Sequence, residues 1–197
     1  MDSAVNPANN PTDSIPEAKQ PSPSGSSNNA NVTKRANTFV GNHTRLQTEL
    51  MTLMMSPSPG ISAFPNETNF LEWTATIEGP EGTPYAGLSL KLSFAFPSNY
   101  PYSAPAVLFK TPIYHPNIDF SGRICLDILK EKWSAIYNVQ TVLLSLQSLL
   151  GEPNNASPLN GQAADLWDKD PEEFKRLVLA RHRDLSDEEL AAATTAA

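Results

Sequence analysis

The chain has 197 residues, 40% of them hydrophobic, and a formal net charge of −7. That length suits one domain of roughly 150 residues with tails, and the acidic balance excludes nonspecific nucleic-acid binding, which needs a basic surface. No apolar run approaches the ~20 residues of a membrane span, and no basic segment leads into an apolar stretch at the N-terminus, so neither membrane insertion nor a secretory signal is expected.

Residues 1–37 hold Pro7, Pro11, Pro16, Pro21 and Pro23 among many Asn and Ser, with no aromatic residue. Such a segment buries too little apolar area to offset its ordering entropy. It is expected to be a disordered extension, either a solvated tail or a regulatory, partner-binding arm. A folded core is expected over residues 38–183 and a frayed tail over 184–197.

Leu46, Leu50, Leu53 and Met54 fall at i, i+4, i+7 and i+8, one apolar stripe of a helix. Thr44 and Gln47 offer it a capping box unless the helix starts earlier, and Ser56-Pro57-Ser58-Pro59-Gly60 ends it. Strands follow. Leu71, Trp73, Ala75 and Ile77 alternate with polar residues, as do Leu88, Leu90, Leu92, Phe94 and Phe96, so each strand has one buried and one wet face. Gly79-Pro80-Glu81-Gly82-Thr83-Pro84 reads as the hairpin loop between them. Ile61–Phe64 and Ala106–Phe109 supply two further short strands of an antiparallel meander.

From Phe109 to Trp133 the sequence has no clean period, yet it carries Ile113, Tyr114, Ile118, Ile124, Leu126, Ile128 and Leu129. A long irregular segment with its own apolar anchors is where chemistry is expected. Val139, Val142, Leu143, Leu146, Leu149 and Leu150 then surround most of one helix, the central buried one. Gly151 and Pro153 mark its end. Asn160 caps a short helix ending near Trp167. Asp170-Pro171-Glu172-Glu173 starts another, with a cap, a first-turn Pro and acids at the positive end. A run of strands followed by a run of helices is α+β.

Cys125 is the only cysteine, so it is a buried small hydrophobe, a reactive thiol or an intermolecular partner. One thiol without a secretory signal points to a reducing compartment, cytoplasmic and nuclear. With His43, His115 and His182 scattered, a structural zinc site lacks ligands; no metal and no bound cofactor are expected. A thiolate can hold an activated acyl group and release it to an amine. Asn117 is the candidate oxyanion donor, because its amide donates without ionising; bracing the loop is an equal and compatible role. His115 is read as structural rather than as a protease base: His115-Pro116-Asn117 fixes backbone direction. Asp127 supports the segment or the incoming amine, Ser157 lies in a polar loop after the buried helix, and Trp133 anchors packing beneath the site, its indole N–H needing a partner.

Tyr100-Pro101 with Pro105, Tyr114-His115-Pro116-Asn117, Gly122, Ile124-Cys125-Leu126-Asp127-Ile128-Leu129, Trp133-Ser134 and Leu149-Leu150 through Glu152-Pro153-Asn154 together resemble the ubiquitin-conjugating family, over about residues 39–180. The resemblance implies the ubiquitin-conjugating (UBC) fold: an N-terminal helix, a four-stranded antiparallel meander, a central buried helix and C-terminal helices. It implies that Cys125 carries ubiquitin as a thioester, that Asn117 is the catalytic asparagine, and that Ser157 stands at the gate position where many members have Asp. It places the RING-ligase surface at Tyr102 and Ser134-Ala135-Ile136, and activating-enzyme docking at His43 and Arg45 beside Asn42. The implied partners are ubiquitin, the activating enzyme, which uses ATP upstream, a RING ligase and protein substrates. The segments Leu50–Ser56 and Gly60–Pro65 resemble mitotic members that serve the anaphase-promoting complex, which implies chain initiation on cell-cycle substrates. An aromatic residue before Pro in a Pro-dense turn, together with the resemblance, predicts a cis bond at Tyr100-Pro101. A non-catalytic ubiquitin- or ligase-binding module of the same fold and a cysteine hydrolase are the competing readings.

Overall fold

The alternation seen in the sequence becomes a single sheet. In a computed structural model, which describes residues 27–183, four antiparallel strands lie in the order β1 (Ile61–Pro65), β2 (Glu72–Glu78), β3 (Ser89–Ala95) and β4 (Ala106–Phe109). The register pairs Trp73 with Phe94, Ala75 with Leu92 and Ile77 with Leu90. These residues, with Val107 and Phe109, share the buried face, as period-two alternation requires. The fold is α+β, as expected.

Helix α2 (Val139–Gly151) lies against this face, packing on β1 and β2. Its Val139, Val142, Leu143, Leu146, Leu149 and Leu150 are all buried. The Asn138 side chain caps it by accepting from the Thr141 N–H at 2.8 Å. Helices α3 (Gly161–Lys169) and α4 (Pro171–Arg181) pack together. Asn160 and Asp170 cap them as the sequence foretells, accepting from the N–H groups of Ala163 and Glu173. Phe174 of α4 meets Trp167 of α3 edge to face, with 5.0 Å between ring centres.

Helix α1 differs from expectation. It spans Ser27–Met55, 29 residues, and so takes in residues 27–37 of the segment expected to be disordered. The physical reason is local: no proline follows Pro23 before Pro57, Ala30, Lys34, Arg35 and Ala36 are good helix formers, and an existing helix extends at low cost. Thr44 and Gln47 are therefore mid-helix and form no capping box. The inward stripe is also different: Asn42, Leu46, Glu49 and Leu53 are buried, whereas Met54 is 66% exposed. Residues 1–26 and 184–197, which hold the rest of the expected arm and the C-terminal tail, lie outside the described residues. No helix among the described residues is long and apolar enough to cross a membrane.

Two backbone features shape the irregular segment. The Tyr100-Pro101 bond at its approach is cis, as expected, and Gly122 within it has φ +84°. Gly122 closes the turn 119–123, receives an N–H bond on its carbonyl from Phe109 at 2.9 Å, and sits so close to β4 that a Cβ would stand 2.0 Å from the Phe109 carbonyl oxygen. Both the left-handed conformation and the close approach demand glycine. Gly122→Ala should therefore cost about 3 kcal/mol or more and lower Tm by roughly 6–12 °C. Thermal unfolding followed by circular dichroism checks this, and a fall below about 2 °C would contradict it.

Candidate active site

Cys125 is partly exposed and sits at the rim of a tightly hydrogen-bonded turn. Its N–H donates to the Asn117 carbonyl at 2.8 Å, and isolated bridges pair Ile118 with Ile124 and His115 with Ile118. The His-Pro-Asn run and the cysteine are thus two arms of one small antiparallel ribbon. Ile118 and Ile124, both buried, anchor that ribbon while the thiol stays reachable. Lys130 returns across the 3-10 turn Asp127–Leu129 and brings its Nζ to 3.5 Å from the Cys125 Sγ.

Asn117 is 1% exposed. Its Nδ2 donates to the Asn154 carbonyl at 2.7 Å, and the Asn154 N–H donates back to its Oδ1 at 2.8 Å. A long contact of 3.5 Å joins the same Nδ2 to the Ser157 carbonyl. The Pro116 carbonyl accepts from the N–H groups of Leu159 and Asn160 at 2.8 and 3.0 Å. This turn therefore holds the whole loop between α2 and α3. Of the two roles open for Asn117, bracing is the one visible in this geometry. Ser157 is exposed on that loop, joined to the turn through its backbone.

His115 is fully buried. Its Nδ1 accepts from the Asn117 N–H at 2.9 Å, so Nε2 carries the hydrogen and donates to the Leu149 carbonyl at 2.9 Å. Both nitrogens are committed, and neither contacts Cys125. Burial pushes its pKa down to about 4. A neutral imidazole facing away from sulfur cannot serve a Cys–His hydrolase, so the structural reading of His115 holds. Tyr85 adds a further brace, donating its buried hydroxyl to the Tyr114 carbonyl at 2.6 Å.

The other candidate residues lie around this turn and on the neighbouring loops and helix. Asp127 pairs with Lys132 at 2.7 Å, and that hydrogen bond lowers its pKa; it starts the 3-10 turn rather than pointing a free carboxylate at the site. Trp133 packs half-buried against the core, and its indole N–H has the partner it needs. Its Nε1–H donates to the Pro101 carbonyl at 2.8 Å, and its ring meets Tyr100 and Tyr137, so it ties together the two loops of the expected ligase surface. Tyr102 and Ile136 are 81% and 80% exposed there, while Ser134 and Ala135 are half-buried. His43 and Arg45 lie in the second half of α1. His43 stacks on Phe70 with 5.1 Å between ring centres, and Arg45 is engaged by Glu49 and by the Tyr137 carbonyl. The single-sequence reading missed Lys130 and Glu49. For Glu49 a signal existed: an acid stands at i+3 from Leu46, on the side of the helix that turns inward.

A protein-family model for ubiquitin-conjugating enzyme matches residues 45–182. The chain belongs to the ubiquitin-conjugating enzyme family. It is similar to the "Ubiquitin-conjugating enzyme E2-20 kDa" of Schizosaccharomyces pombe, with 64% identity over 144 residues, 73% of this chain and 82% of that relative. The protein is thus a ubiquitin transferase with the UBC fold, and enzymes of this family work with ubiquitin, an activating enzyme and ligases. Cys125, Asn117 and the braced loop all fall inside the matched residues, so a non-catalytic binding module is not favoured.

The committed ring of His115 has a pH consequence. An unfolded imidazole takes up a proton near pH 6.5, the folded one only near pH 4. Between these values the unfolded state binds more protons, so stability is full above pH 6.5 and falls as pH drops, by about 1.4 kcal/mol per pH unit at most for one site. Urea unfolding from pH 7 to 4.5 should show this slope, and His115→Gln should lose it. An unchanged slope in the variant would contradict the assignment.

Proposed function

We propose that Cys125 accepts ubiquitin from the activating enzyme as a thioester and passes it, with a RING ligase, to substrate lysines. The observation that carries this reading is the partly exposed Cys125 thiol at the edge of a turn rigidly bonded on its other side. In the first step the Cys125 thiolate attacks the carbonyl carbon of the donor thioester. A tetrahedral oxyanion forms, and the donor's thiolate leaves. In the second, a lysine amine attacks the new thioester, the Cys125 thiolate leaves, and the ammonium proton passes to water.

Asn117 is our candidate donor to the tetrahedral oxyanion of the second step, the attack of lysine on the thioester; in the first step the geometry is set by the activating enzyme. One Nδ2 hydrogen is held by Asn154; the other makes only the 3.5 Å contact to the Ser157 carbonyl, which makes it the hydrogen available to a ligand. Removing such a donor costs about 10²–10³ in rate. Ser157 cannot act as a carboxylate base, so removal of the lysine proton relies on position, on local desolvation of the amine or on water as the acceptor.

Tyr102 with Ser134, Ala135 and Ile136 forms the ligase surface in this reading. The resemblance of Leu50–Ser56 and Gly60–Pro65 to mitotic members favours the anaphase-promoting complex as the ligase, with cell-cycle proteins as substrates and the reducing cytoplasm and nucleus as the place of action. The hydrophobic Tyr102 and Ile136 side chains, left in solvent by the fold, support a docking role. No cofactor is assigned to the chain; ATP is consumed by the activating enzyme.

Loading with activating enzyme, ATP and ubiquitin, read on a non-reducing gel, tests the first step. The native chain should give a reductant-sensitive adduct, Cys125→Ser at most a reductant-resistant oxyester, and Cys125→Ala nothing; normal loading by Cys125→Ala overturns the proposal. In single-turnover discharge to free lysine, Asn117→Ser should slow transfer about 100-fold while leaving loading within a few-fold. Equal slowing of both steps would contradict the donor role. Tyr102→Ala should weaken discharge stimulated by the RING subunit of the anaphase-promoting complex and spare loading. Intact stimulation would place ligase docking elsewhere.

A further inference from the structure

Glu49 is a charged residue only 5% exposed, and the transfer steps at Cys125 do not use it. Burying a carboxylate is costly unless its partners are well placed. Here they come from three separate parts of the chain. The Tyr100 hydroxyl donates to both carboxylate oxygens, at 2.8 and 3.0 Å. The Val139 N–H, the first of α2, donates to Oε2 at 2.8 Å. Arg45, one turn earlier in α1, donates its Nε to Oε1 and its Nη2 to the Tyr137 carbonyl at 2.9 Å.

Capping α2 does not by itself require this carboxylate, because Asn138 already caps that helix through the Thr141 N–H. What Glu49 adds is a fixed relation between two loops. Tyr100 lies two residues before Tyr102, in the loop with the cis bond. Tyr137 and Val139 closely follow Ile136. Trp133 closes the same circuit by its bond to the Pro101 carbonyl. Burial, together with the Glu49 charge and hydrogen bond, raises the Tyr100 pKa, so its hydroxyl remains a donor to this carboxylate at neutral pH. Tyr102 and Ile136 are thereby presented from loops whose bases are bonded to one side chain.

We propose that Glu49 is a positioning residue for ligase-stimulated transfer: its carboxylate sets the spacing of the loops bearing Tyr102 and Ile136, so that a RING partner meets a preformed surface. A surface that need not be ordered on docking binds more tightly, so the effect belongs in the ligase concentration needed rather than in the chemistry at Cys125. This inference rests on the assignment of the ligase surface to Tyr102 and residues 134–136.

The test measures single-turnover discharge from the loaded chain over a range of RING-subunit concentrations for the native chain, Glu49→Gln, Tyr100→Phe, the double variant and Tyr102→Ala. Glu49→Gln keeps one acceptor but turns an NH2 toward groups that are themselves donors; Tyr100→Phe removes only the hydroxyl. Each should raise the half-saturating RING concentration about 5- to 10-fold while leaving ligase-free discharge and the saturated rate within about twofold. Because both act through one hydrogen-bonded unit, the double variant should be no worse than the worse single one. Unchanged half-saturation in both single variants, with Tyr102→Ala raising it, overturns the positioning role while leaving the surface in place. Effects that multiply in the double variant also overturn it. A Tyr102→Ala chain with native half-saturation removes the surface itself, and the inference with it. Should Glu49→Gln fail to fold, Tyr100→Phe decides alone, and native half-saturation in that variant overturns the proposal.

Discussion

The side-chain amide of Asn117 exchanges two hydrogen bonds with the backbone of Asn154, 37 residues away, and much of the site's geometry depends on that exchange. It bonds the turn that carries Cys125 to the loop that would frame an incoming lysine. The neighbouring Pro116 carbonyl adds two bonds to the same loop, and His115 fastens the turn to the end of α2 through Leu149. The His115 and Asn117 side chains that make these bonds are buried, so each is costly to disturb. The three residues of the His-Pro-Asn run work as a unit: the histidine locates the turn, the proline frees a carbonyl by directing the chain, and the asparagine grips the loop. The thiol, the second Nδ2 hydrogen of Asn117 and the rim of the loop are left for partners.

A second buried polar centre, at Glu49, lies under the face that presents Tyr102 and Ile136. The two centres are joined by α2: Glu49 meets its first N–H at Val139, and His115 meets Leu149 near its last turn. This helix is buried along most of its length. It acts as a stiff member with a polar joint at each end, one to the loops of the proposed docking surface and one to the His-Pro-Asn turn.

The sheet and the buried helix were legible because their signals are periodic. Alternation from Leu71 to Ile77 and from Leu88 to Phe96 fixes which face is inside, and the apolar girth of Val139–Leu150 fixes the central helix. Caps at Asn160 and Asp170 were legible for the same local reason. The helix start at Ser27 was not, since composition over residues 1–37 averages a Pro-rich part with an Ala- and Lys-containing part that has no breaker. The His-Pro-Asn run and Cys125 were visible as a motif, but the bracing contacts of Asn117 to Asn154 were not, because they join distant segments. The partners of Trp133 and Arg45 were not legible for a related reason: a partner 32 or 92 residues away leaves no periodic trace. Glu49 shows the reverse case, a charged residue whose inward position is set by helix geometry and whose partners only folding reveals.

Amide hydrogen exchange at Asn154 tests the clamp most directly. In the native chain its N–H, bonded to Asn117 Oδ1, should exchange far more slowly than the same amide in the unfolded chain. In Asn117→Ser, with the sheet amides of β2 and β3 still protected, the Asn154 N–H should speed up by about 100-fold or more, the signature of a loop released locally rather than of a chain unfolded. Protection at Asn154 that survives the substitution would contradict the claim that Asn117 holds this loop.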